Sequence, residues 1–465
     1  MSLADQLQSR SEQGQLGSQA SDLHATCEQL SIINDASVTQ PPAPVAAASS
    51  SSPFANVLAL LMAQHPRLGV DSPAAKLTVD CARRILHMLT PTIVIDMGSA
   101  LCRAGFTCSE RPSVVFPTVI AWPKGHPTPQ ATDTILVGDE AMAARETHRL
   151  RYVVEHGIVT DWDGVERVWH HLFYERLRVR PEERPVLLTE SPLNPKAIRE
   201  RAVQIMFDTF NVPATYLAIG AVLALYQTGQ TTGVVVDSGL SATHVVPIYE
   251  GYALPHAIQR VDIAGRDVAR KLDQLLRQDG DSRLPTSLVG NLAAFEAVIR
   301  DIKETHAFVA PIFRHRSEAD GSAKVPYSLP DGNIIQLSHS ELSTCMECLF
   351  DPSVIGFSAP GLADVVFNAI MRTDGDLKPK DLFGSIVLSG GSTRPCGFAE
   401  RLKAELAERA PSHMRINVVY ARPDDVCAHW AGGSQLASLH TFRSMWITRD
   451  EYNEKGPSIV HSKCF

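Results

Sequence analysis

Two stretches of the chain place a carboxylate at the end of a β-branched apolar run and follow it with small, turn-forming residues. The first runs from Thr92 through Asp96 to Ser99, and the second from Thr232 through Asp237 to Gly239. Each pattern predicts a β-hairpin whose tip brings backbone N–H groups against a phosphate. Two such hairpins could grip one nucleotide from both sides, with Asp96 and Asp237 facing a metal ion between them.

A third turn of the same kind follows later in the chain. The apolar run from Ser385 to Ser389 leads into Gly390, Gly391 and Ser392, and a helix is predicted from Phe398 to Leu406. Glycines let a phosphate or ribose approach the backbone closely. The sequence therefore predicts three turns at which the phosphates or ribose of one nucleotide could contact the backbone.

The bulk composition excludes several function classes. The chain has 465 residues, of which 44% are hydrophobic and 20% charged, which is typical of a globular protein of two or more domains. A net charge of −8 argues against direct nucleic-acid binding. The nine cysteines are spread out, as in reduced intracellular proteins, and the single pair Cys345 and Cys348 is predicted to be structural. The longest apolar runs are too short for a membrane span, and we expect no signal peptide.

The N-terminal part differs from the rest. Residues 1–53 are rich in Ser, Gln and Ala, which predicts a disordered tail or, alternatively, a targeting or partner-binding arm. Residues 54–91 carry apolar side chains at helical spacing, which predicts a short helical extension. These helices either pack on the body or dock into a partner's groove.

Strands and helices alternate in the remainder, which indicates an α/β fold. The pattern predicts a buried strand from Pro185 to Glu190 and a helix from Ala218 to Tyr226. Prolines at 123, 127 and 129 predict a loop from Trp122 to Thr134, and a second loop is expected from Tyr152 to Asp163.

Several long segments resemble actin. They are Glu155–Trp162, Arg184–Glu190, Pro192–Pro195, Gln204–Asn211, Val246–Ala257, Arg300–Glu304, Leu388–Gly391 and Gly456–Phe465. The resemblance extends from about residue 92 to residue 465. It implies an α/β, actin-like ATPase-domain fold, with two lobes of two subdomains around a nucleotide cleft, plus the N-terminal extension.

The resemblance also implies domain bounds. The first lobe would comprise residues 92–227 with 428–465, including a tip loop at about 118–152. The second lobe would comprise residues 228–427, including a subdomain at about 264–355.

The resemblance assigns site residues one by one, for ATP or ADP with Mg²⁺. Asp96 and Asp237 would hold the metal ion through water, and His244 would lie near the attacking water, although a buried core histidine accounts for His244 equally well. The implied nucleotide-binding residues are Ser99, Arg103, Ser238, Gly239, Lys303, Glu304, Gly390, Gly391 and Ser392. Arg103 stands where actin has a lysine, so the charge is kept and the shape is not.

The departures from actin fall on the same site. Gly220 replaces the glutamine that positions the attacking water, Leu240 replaces an aspartate, and Ala100 replaces a phosphate-turn glycine. Three further departures are Met97, Pro395 and Val426. Because groups that position water or stabilise charge each contribute about 10²- to 10⁴-fold, we expect weak or absent hydrolysis and weakened nucleotide binding.

We therefore expect an actin-like cytoskeletal or scaffolding protein, located in the cytoplasm at the cytoskeleton, with other actin-like subunits, a protein complex or actin-binding-type proteins as partners. One alternative is a conventional filament-forming actin ATPase. Another is a nuclear actin-related subunit of a chromatin-remodelling complex, and a small-molecule kinase of the same superfold ranks last.

Overall fold

A computed structural model describes residues 91–107, 109–129, 134–277, 292–311, 324–373, 379–422 and 427–465. The predicted tail and helical extension, residues 1–53 and most of 54–91, lie outside these residues, as does Val426. Both phosphate-turn hairpins and the third turn lie inside them.

The first lobe is built on a six-stranded sheet with the strand order β19-β10-β9-β1-β2-β3. Its strands are β1 (Ile93–Met97), β2 (Leu101–Phe106), β3 (Val114–Pro117), β9 (Val186–Glu190), β10 (Ala214–Ile219) and β19 (Ile447–Thr448). Strands β1, β9 and β10 are parallel, while β1, β2 and β3 form an antiparallel meander. Asp96 therefore lies near the carboxyl end of β1, beside the end of β9.

The second lobe repeats this arrangement with the order β13-β12-β11-β17-β18, and β14 also pairs with β12. Its strands are β11 (Gly233–Ser238), β12 (Thr243–Tyr249), β13 (Tyr252–Ala253), β14 (Gln259–Val261), β17 (Ile386–Ser389) and β18 (Val418–Tyr420). Strand β11 is antiparallel to β12 and parallel to β17, just as β1 is antiparallel to β2 and parallel to β9. Asp237 thus occupies in the second sheet the place that Asp96 occupies in the first.

The remaining strands form three smaller sheets within the described residues. They are β4 (Val119–Pro123), β5 (Leu136–Val137) and β6 (His148–Tyr152) in one sheet, the pair β7 (Val154–Glu155) and β8 (Ile158–Val159), and the pair β15 (Lys324–Ser328) and β16 (Ile334–Ser338). The loop predicted from Trp122 is wrong at its start, because Trp122 and Pro123 end β4. Strand β5 pairs only with Ile120 and Ala121, so no ladder donor is required of Pro123 on that side.

The loop predicted from Tyr152 to Asp163 is wrong as well, because it contains the β7–β8 hairpin. His156 and Gly157 form its tip with φ values of 50° and 75°. Positive φ at both central residues is the geometry of a tight two-residue hairpin turn. The prediction missed it because the pair His156-Gly157 lacks the Asn or Asp that usually marks this turn.

Helices cover the sheets. In chain order they are α1 (Asp139–Ala143), α2 (Trp162–His170), α3 (Lys196–Asp208), α4 (Gly220–Tyr226), α5 (Gly265–Arg277), α6 (Leu292–His306), α7 (His339–Thr344), α8 (Glu347–Phe350), α9 (Leu362–Met371), α10 (Pro379–Phe383), α11 (Phe398–Arg409), α12 (Ala428–Ser438), α13 (Arg449–Lys455) and α14 (Val460–Lys463). A π-helical turn, His171–Arg176, continues α2. Within the described residues, no helix has the length and apolar character needed to cross a membrane.

Each lobe has its own apolar core, and a third cluster lies where the lobes meet. This third cluster joins α4 and the start of α12 to the second sheet through Ala221, Leu225, Val235, Val387 and Ala428. Helices α4 and α12 approach closely, since a Cβ on Gly432 would lie 2.1 Å from the carbonyl oxygen of Leu223. This close packing places the first turn of α12 beside the first residue of α4.

Candidate functional site

Asp96 lies almost fully buried between the lobes and is held by three side chains. Thr189, from the neighbouring strand β9, donates a hydrogen bond to Oδ1 over 2.7 Å. Arg103 Nη1, from the partner strand of the hairpin, lies 3.4 Å from Oδ2. His429 Nδ1 lies 3.6 Å from Oδ1. The predicted phosphate-reaching residue Arg103 is thus paired with Asp96.

Asp237 meets the same histidine from the opposite side. His429 Nε2 lies 3.4 Å from Asp237 Oδ1 and 3.2 Å from the hydroxyl of Ser389. The single imidazole ring therefore spans the two carboxylates, with one ring nitrogen facing each. The structure places Asp96 and Asp237 on either side of one ring, and the sequence analysis did not identify His429 as the residue between them.

The electrostatics of the three groups are mutually reinforcing. Burial by itself would lower the pKa of His429, but the charge and hydrogen bonds of Asp237 and Asp96 raise the pKa to about 10. Burial would raise the pKa of Asp96, yet His429, Arg103 and Thr189 lower it to about 2. The pKa of Asp237 is likewise lowered, against its own burial, chiefly by His429. At neutral pH the structure thus holds an imidazolium between two carboxylates.

The place of His429 follows from the packing of two helices. His429 lies in the first turn of α12, where the helix dipole disfavours a cation, so the two carboxylates must outweigh the dipole. Gly220 is the first residue of α4, and a Cβ there would lie 2.8 Å from His429 Nδ1. The absence of a side chain at Gly220 therefore leaves the space that the imidazole ring fills.

The two phosphate turns are linked by the tip of the β7–β8 hairpin. The N–H of Gly157 donates to Ser99 Oγ over 3.2 Å in the first turn. The N–H of His156 donates to Ser241 Oγ over 3.0 Å in the second turn. A Cβ on Gly157 would also lie 2.2 Å from Ser191 Oγ. The hairpin tip thus fixes the two turns relative to each other.

Hydrogen bonds among its own residues stabilise the second turn. Ser238 is buried and its hydroxyl shares a 2.8 Å hydrogen bond with Thr243 Oγ1, so the Ser238 side chain holds the hairpin together. The N–H of Gly239 donates to the carbonyl of Ala242 over 3.1 Å. The backbone carbonyl of Leu240 accepts from Arg266 N–H over 2.7 Å, which ties the turn to helix α5.

The third turn packs on the second. Gly390 has φ +85°, a conformation that favours glycine, and a Cβ there would lie 2.2 Å from the carbonyl oxygen of Ser238. Ser392 Oγ donates to the carbonyl of Gly239 over 2.7 Å. A Cβ on Gly391, in contrast, would have no atom within 4 Å. Gly391 therefore faces open space beside the two turns.

Lys303 and Glu304 of α6 separate in the structure. Lys303 reaches the same region, where its Nζ donates to the carbonyl of Gly265 over 3.2 Å, and burial lowers its pKa. Glu304 is exposed. The structure thus brings Lys303 to Gly239, Gly265 and Ser392, and it leaves Glu304 at the surface.

His244 faces its strand partner Asp237 across the β11–β12 hairpin. It is buried, and burial lowers its pKa although Asp237 acts in the opposite direction. A neutral, buried His244 opposite Asp237 is compatible with both interpretations of this residue, a core histidine or a group beside an attacking water.

The carboxylates of Asp96 and Asp237 already have cationic side chains as partners where a divalent ion would lie. A Mg²⁺ ion requires near-octahedral oxygen ligands at about 2.0–2.1 Å and keeps several waters. Here the facing oxygens of Asp96 and Asp237 are met by His429. Because Mg²⁺ can be held by one or two carboxylates together with waters and phosphates, the position of His429 between the two carboxylates decides the fit. The residues that the sequence assigned to the metal do not fit it in this arrangement.

Comparison with known proteins places this geometry in context. The family model described as Actin matches residues 88–465. A curated relative from Neurospora crassa, named "Actin-like protein", is 44% identical over 381 residues, which cover 80% of this chain and 97% of the relative. The resemblance to actin and the actin-like fold predicted from the sequence are thereby confirmed.

Proposed function

Because this chain belongs to the actin family, whose members generally bind ATP or ADP with Mg²⁺, we propose that it is an actin-like structural subunit. In this proposal it binds ATP or ADP in the cleft between its lobes and hydrolyses ATP weakly or not at all. It acts in a cytoplasmic assembly with other actin-like subunits or within a larger protein complex.

The observation that carries the nucleotide proposal is the convergence of three glycine turns. Gly239 and Gly391 lie on neighbouring turns, and a Cβ on either residue would meet no atom closer than 3.9 Å. The space beside both turns is therefore open to a ligand, although the N–H of Gly239 itself is donated to the carbonyl of Ala242. Turns with accessible backbone N–H groups form concave sites that attract anions. A phosphate chain at these turns is the ligand that the geometry supports best.

Weak hydrolysis is supported by the side chains around the cleft. Gly220 offers no group that could orient an attacking water, and Leu240 offers no charge. His429 fills the space beside Gly220 and is fully engaged with two carboxylates. Groups that orient water or take up its proton contribute about 10²- to 10⁴-fold each, so their loss slows the chemical step strongly.

The test uses the full chain and two matched glycine variants. Gly391→Ala adds a methyl group that the free protein accommodates but that a bound phosphate or ribose would meet. Gly125→Ala is the control, since its Cβ would also have no neighbour within 4 Å and it lies outside the three turns. Thermal unfolding of both variants without ligand checks that the fold is unchanged.

Titration with ATP and ADP, followed by a single-turnover assay of phosphate release, then decides the proposal. We expect saturable binding to the parent chain, an affinity at least about tenfold lower in Gly391→Ala (1.4 kcal/mol), and no change in Gly125→Ala. Phosphate release should be slower than nucleotide dissociation. Absence of saturable binding, or equal binding by both variants, would refute the nucleotide proposal.

Assembly with other actin-like subunits is supported by exposed apolar side chains on the second lobe. Phe357, just after the turn Pro352–Ile355, is 57% exposed, and Ile334 of β16 is 62% exposed. Sedimentation at increasing concentration measures self-association. A sharp critical concentration that requires ATP hydrolysis would favour the conventional filament-forming ATPase instead. Purification in a stable complex with chromatin-remodelling subunits would favour the nuclear alternative.

A further inference from the structure

We infer that His429 takes the place of the divalent cation between Asp96 and Asp237, so that the cleft binds its nucleotide without a metal ion at these carboxylates. The part concerning the nucleotide rests on the proposed function. The part concerning the carboxylates stands on the protein's own side chains.

The His429 ring lies directly between the two carboxylates. Nδ1 of His429 lies 3.6 Å from Asp96 Oδ1, and Nε2 lies 3.4 Å from Asp237 Oδ1. Each ring nitrogen faces a different carboxylate, so the imidazole itself forms the bridge between the lobes. Only 20% of the His429 side chain is exposed, which limits the room for an ion and its waters.

Asp96 and His429 each have further partners besides one another. Asp96 also receives the Thr189 hydroxyl at 2.7 Å and faces the Arg103 guanidinium at 3.4 Å. Nε2 of His429 has the Ser389 hydroxyl as a further partner at 3.2 Å. A cation entering here would have to displace His429 and compete with Arg103. Removing one partner of a buried charged pair is costly, so the contacts oppose the exchange.

Gly220 and His429 are sterically matched. A Cβ at position 220 would lie 2.8 Å from Nδ1 and 3.1 Å from two ring carbons. The ring therefore occupies the volume in which any side chain at position 220 would begin. The resemblance to actin puts a water-positioning glutamine at 220, and this chain has neither that side chain nor the space for it. The loss of one group and the gain of the other are two parts of a single change in the site.

The test compares the parent chain with His429→Ala, which removes the ring and leaves both carboxylates. His461→Ala is the matched control, because His461 Nε2 also contacts a carboxylate, Glu200 Oε1 at 2.8 Å, at a site on α14 that does not include Asp96 or Asp237. If His429→Ala does not fold, His429→Ser also removes the ring and gives the same comparison.

The first measurement is Mn²⁺ binding by electron paramagnetic resonance, without nucleotide. We expect no specific Mn²⁺ site in the parent chain or in His461→Ala, and one site in His429→Ala. A specific Mn²⁺ site in the parent chain that disappears in Asp237→Asn would overturn the inference. Failure of both His429 variants to gain a site would overturn it as well, because another feature would then exclude the ion.

The second measurement is ATP affinity in EDTA and in excess Mg²⁺. The parent chain should bind with affinities that agree within about threefold, less than 1 kcal/mol, whereas His429→Ala should lose at least about tenfold in EDTA. Loss of parent binding in EDTA would overturn the inference. If the parent chain binds ATP in neither buffer, the proposed function fails, and the Mn²⁺ measurement alone decides the inference about the carboxylates.

Discussion

Replacing Gly220 by alanine sets two opposite effects against each other. Alanine in a helix is favoured over glycine by about 1 kcal/mol, so the substitution alone would stabilise α4. The added Cβ, however, would lie 2.8 Å from His429 Nδ1 and must displace a ring held by two carboxylates. Overpacking of this kind costs about 1–3 kcal/mol. We therefore expect Gly220→Ala to lower the free energy of unfolding by up to about 2 kcal/mol, since the steric cost offsets or exceeds the gain in helix propensity.

The sign should reverse once the ring is removed. His429→Ala destabilises the chain by itself, because Asp96 and Asp237 lose their common partner. In the His429→Ala background, Gly220→Ala no longer meets the imidazole and should stabilise the protein by up to about 1 kcal/mol. The coupling energy between positions 220 and 429 is then about 2 kcal/mol, well above the scatter of about 0.3–0.5 kcal/mol for independent sites.

The assay is a double-mutant cycle measured by urea unfolding of the four chains, monitored by tryptophan fluorescence. Unchanged denaturant slopes would show that the substitutions alter stability and leave the surface exposed on unfolding unchanged. Additive effects of the two substitutions would refute the reasoning. They would show that the ring does not occupy the space beside Gly220.

Three further predictions test other parts of the structure. Because the pKa of His429 is raised from 6.5 to about 10, the contribution of His429 to stability is complete below pH 6.5 and is lost as the pH rises to 10. The free energy of unfolding should therefore fall by up to about 5 kcal/mol across this window, and His429→Ala should show no such fall. Arg401 donates two hydrogen bonds to the fully buried carboxylate of Glu347, at 3.0 and 3.1 Å. Glu347→Ala should therefore lower the free energy of unfolding in urea by about 3–5 kcal/mol, and a decrease below about 1 kcal/mol would contradict this. Gly390→Ala should lower the free energy of unfolding by more than about 2 kcal/mol, because φ is +85° and the new Cβ would lie 2.2 Å from the carbonyl oxygen of Ser238; an unchanged melting temperature would contradict it.

Local patterns predicted the parts of the fold that depend on neighbouring residues. The two hairpins, with Asp96 and Asp237 near the ends of equivalent strands, were predictable because a β-branched run followed by turn residues determines a strand and its end. The helix predicted from Ala218 begins only at Gly220, because Ala218 and Ile219 pair with Thr189 and Glu190 as the end of β10. Tertiary pairing overrode the helical character of this apolar stretch.

The bridging histidine lay beyond this kind of prediction. His429 reaches the carboxylates because α12 packs tightly on α4 through Gly432, a contact between segments far apart in the chain. The glycine at position 220 predicts the loss of a water-positioning group, but it does not show which distant residue fills the space. Likewise, only the assembled structure shows that Arg103 pairs with Asp96 and that Ser238 and Ser392 brace the turns.

The central claim is that a protein side chain occupies the position between Asp96 and Asp237. It is tested most directly by a crystal structure of the full chain grown with ATP and Mn²⁺, with anomalous difference density measured at the Mn absorption edge. We expect a nucleotide whose phosphates lie against the three glycine turns. The His429 ring should lie between the two carboxylates, with no anomalous peak between Asp96 and Asp237. An anomalous peak between Asp96 and Asp237, with the His429 ring displaced, would contradict it.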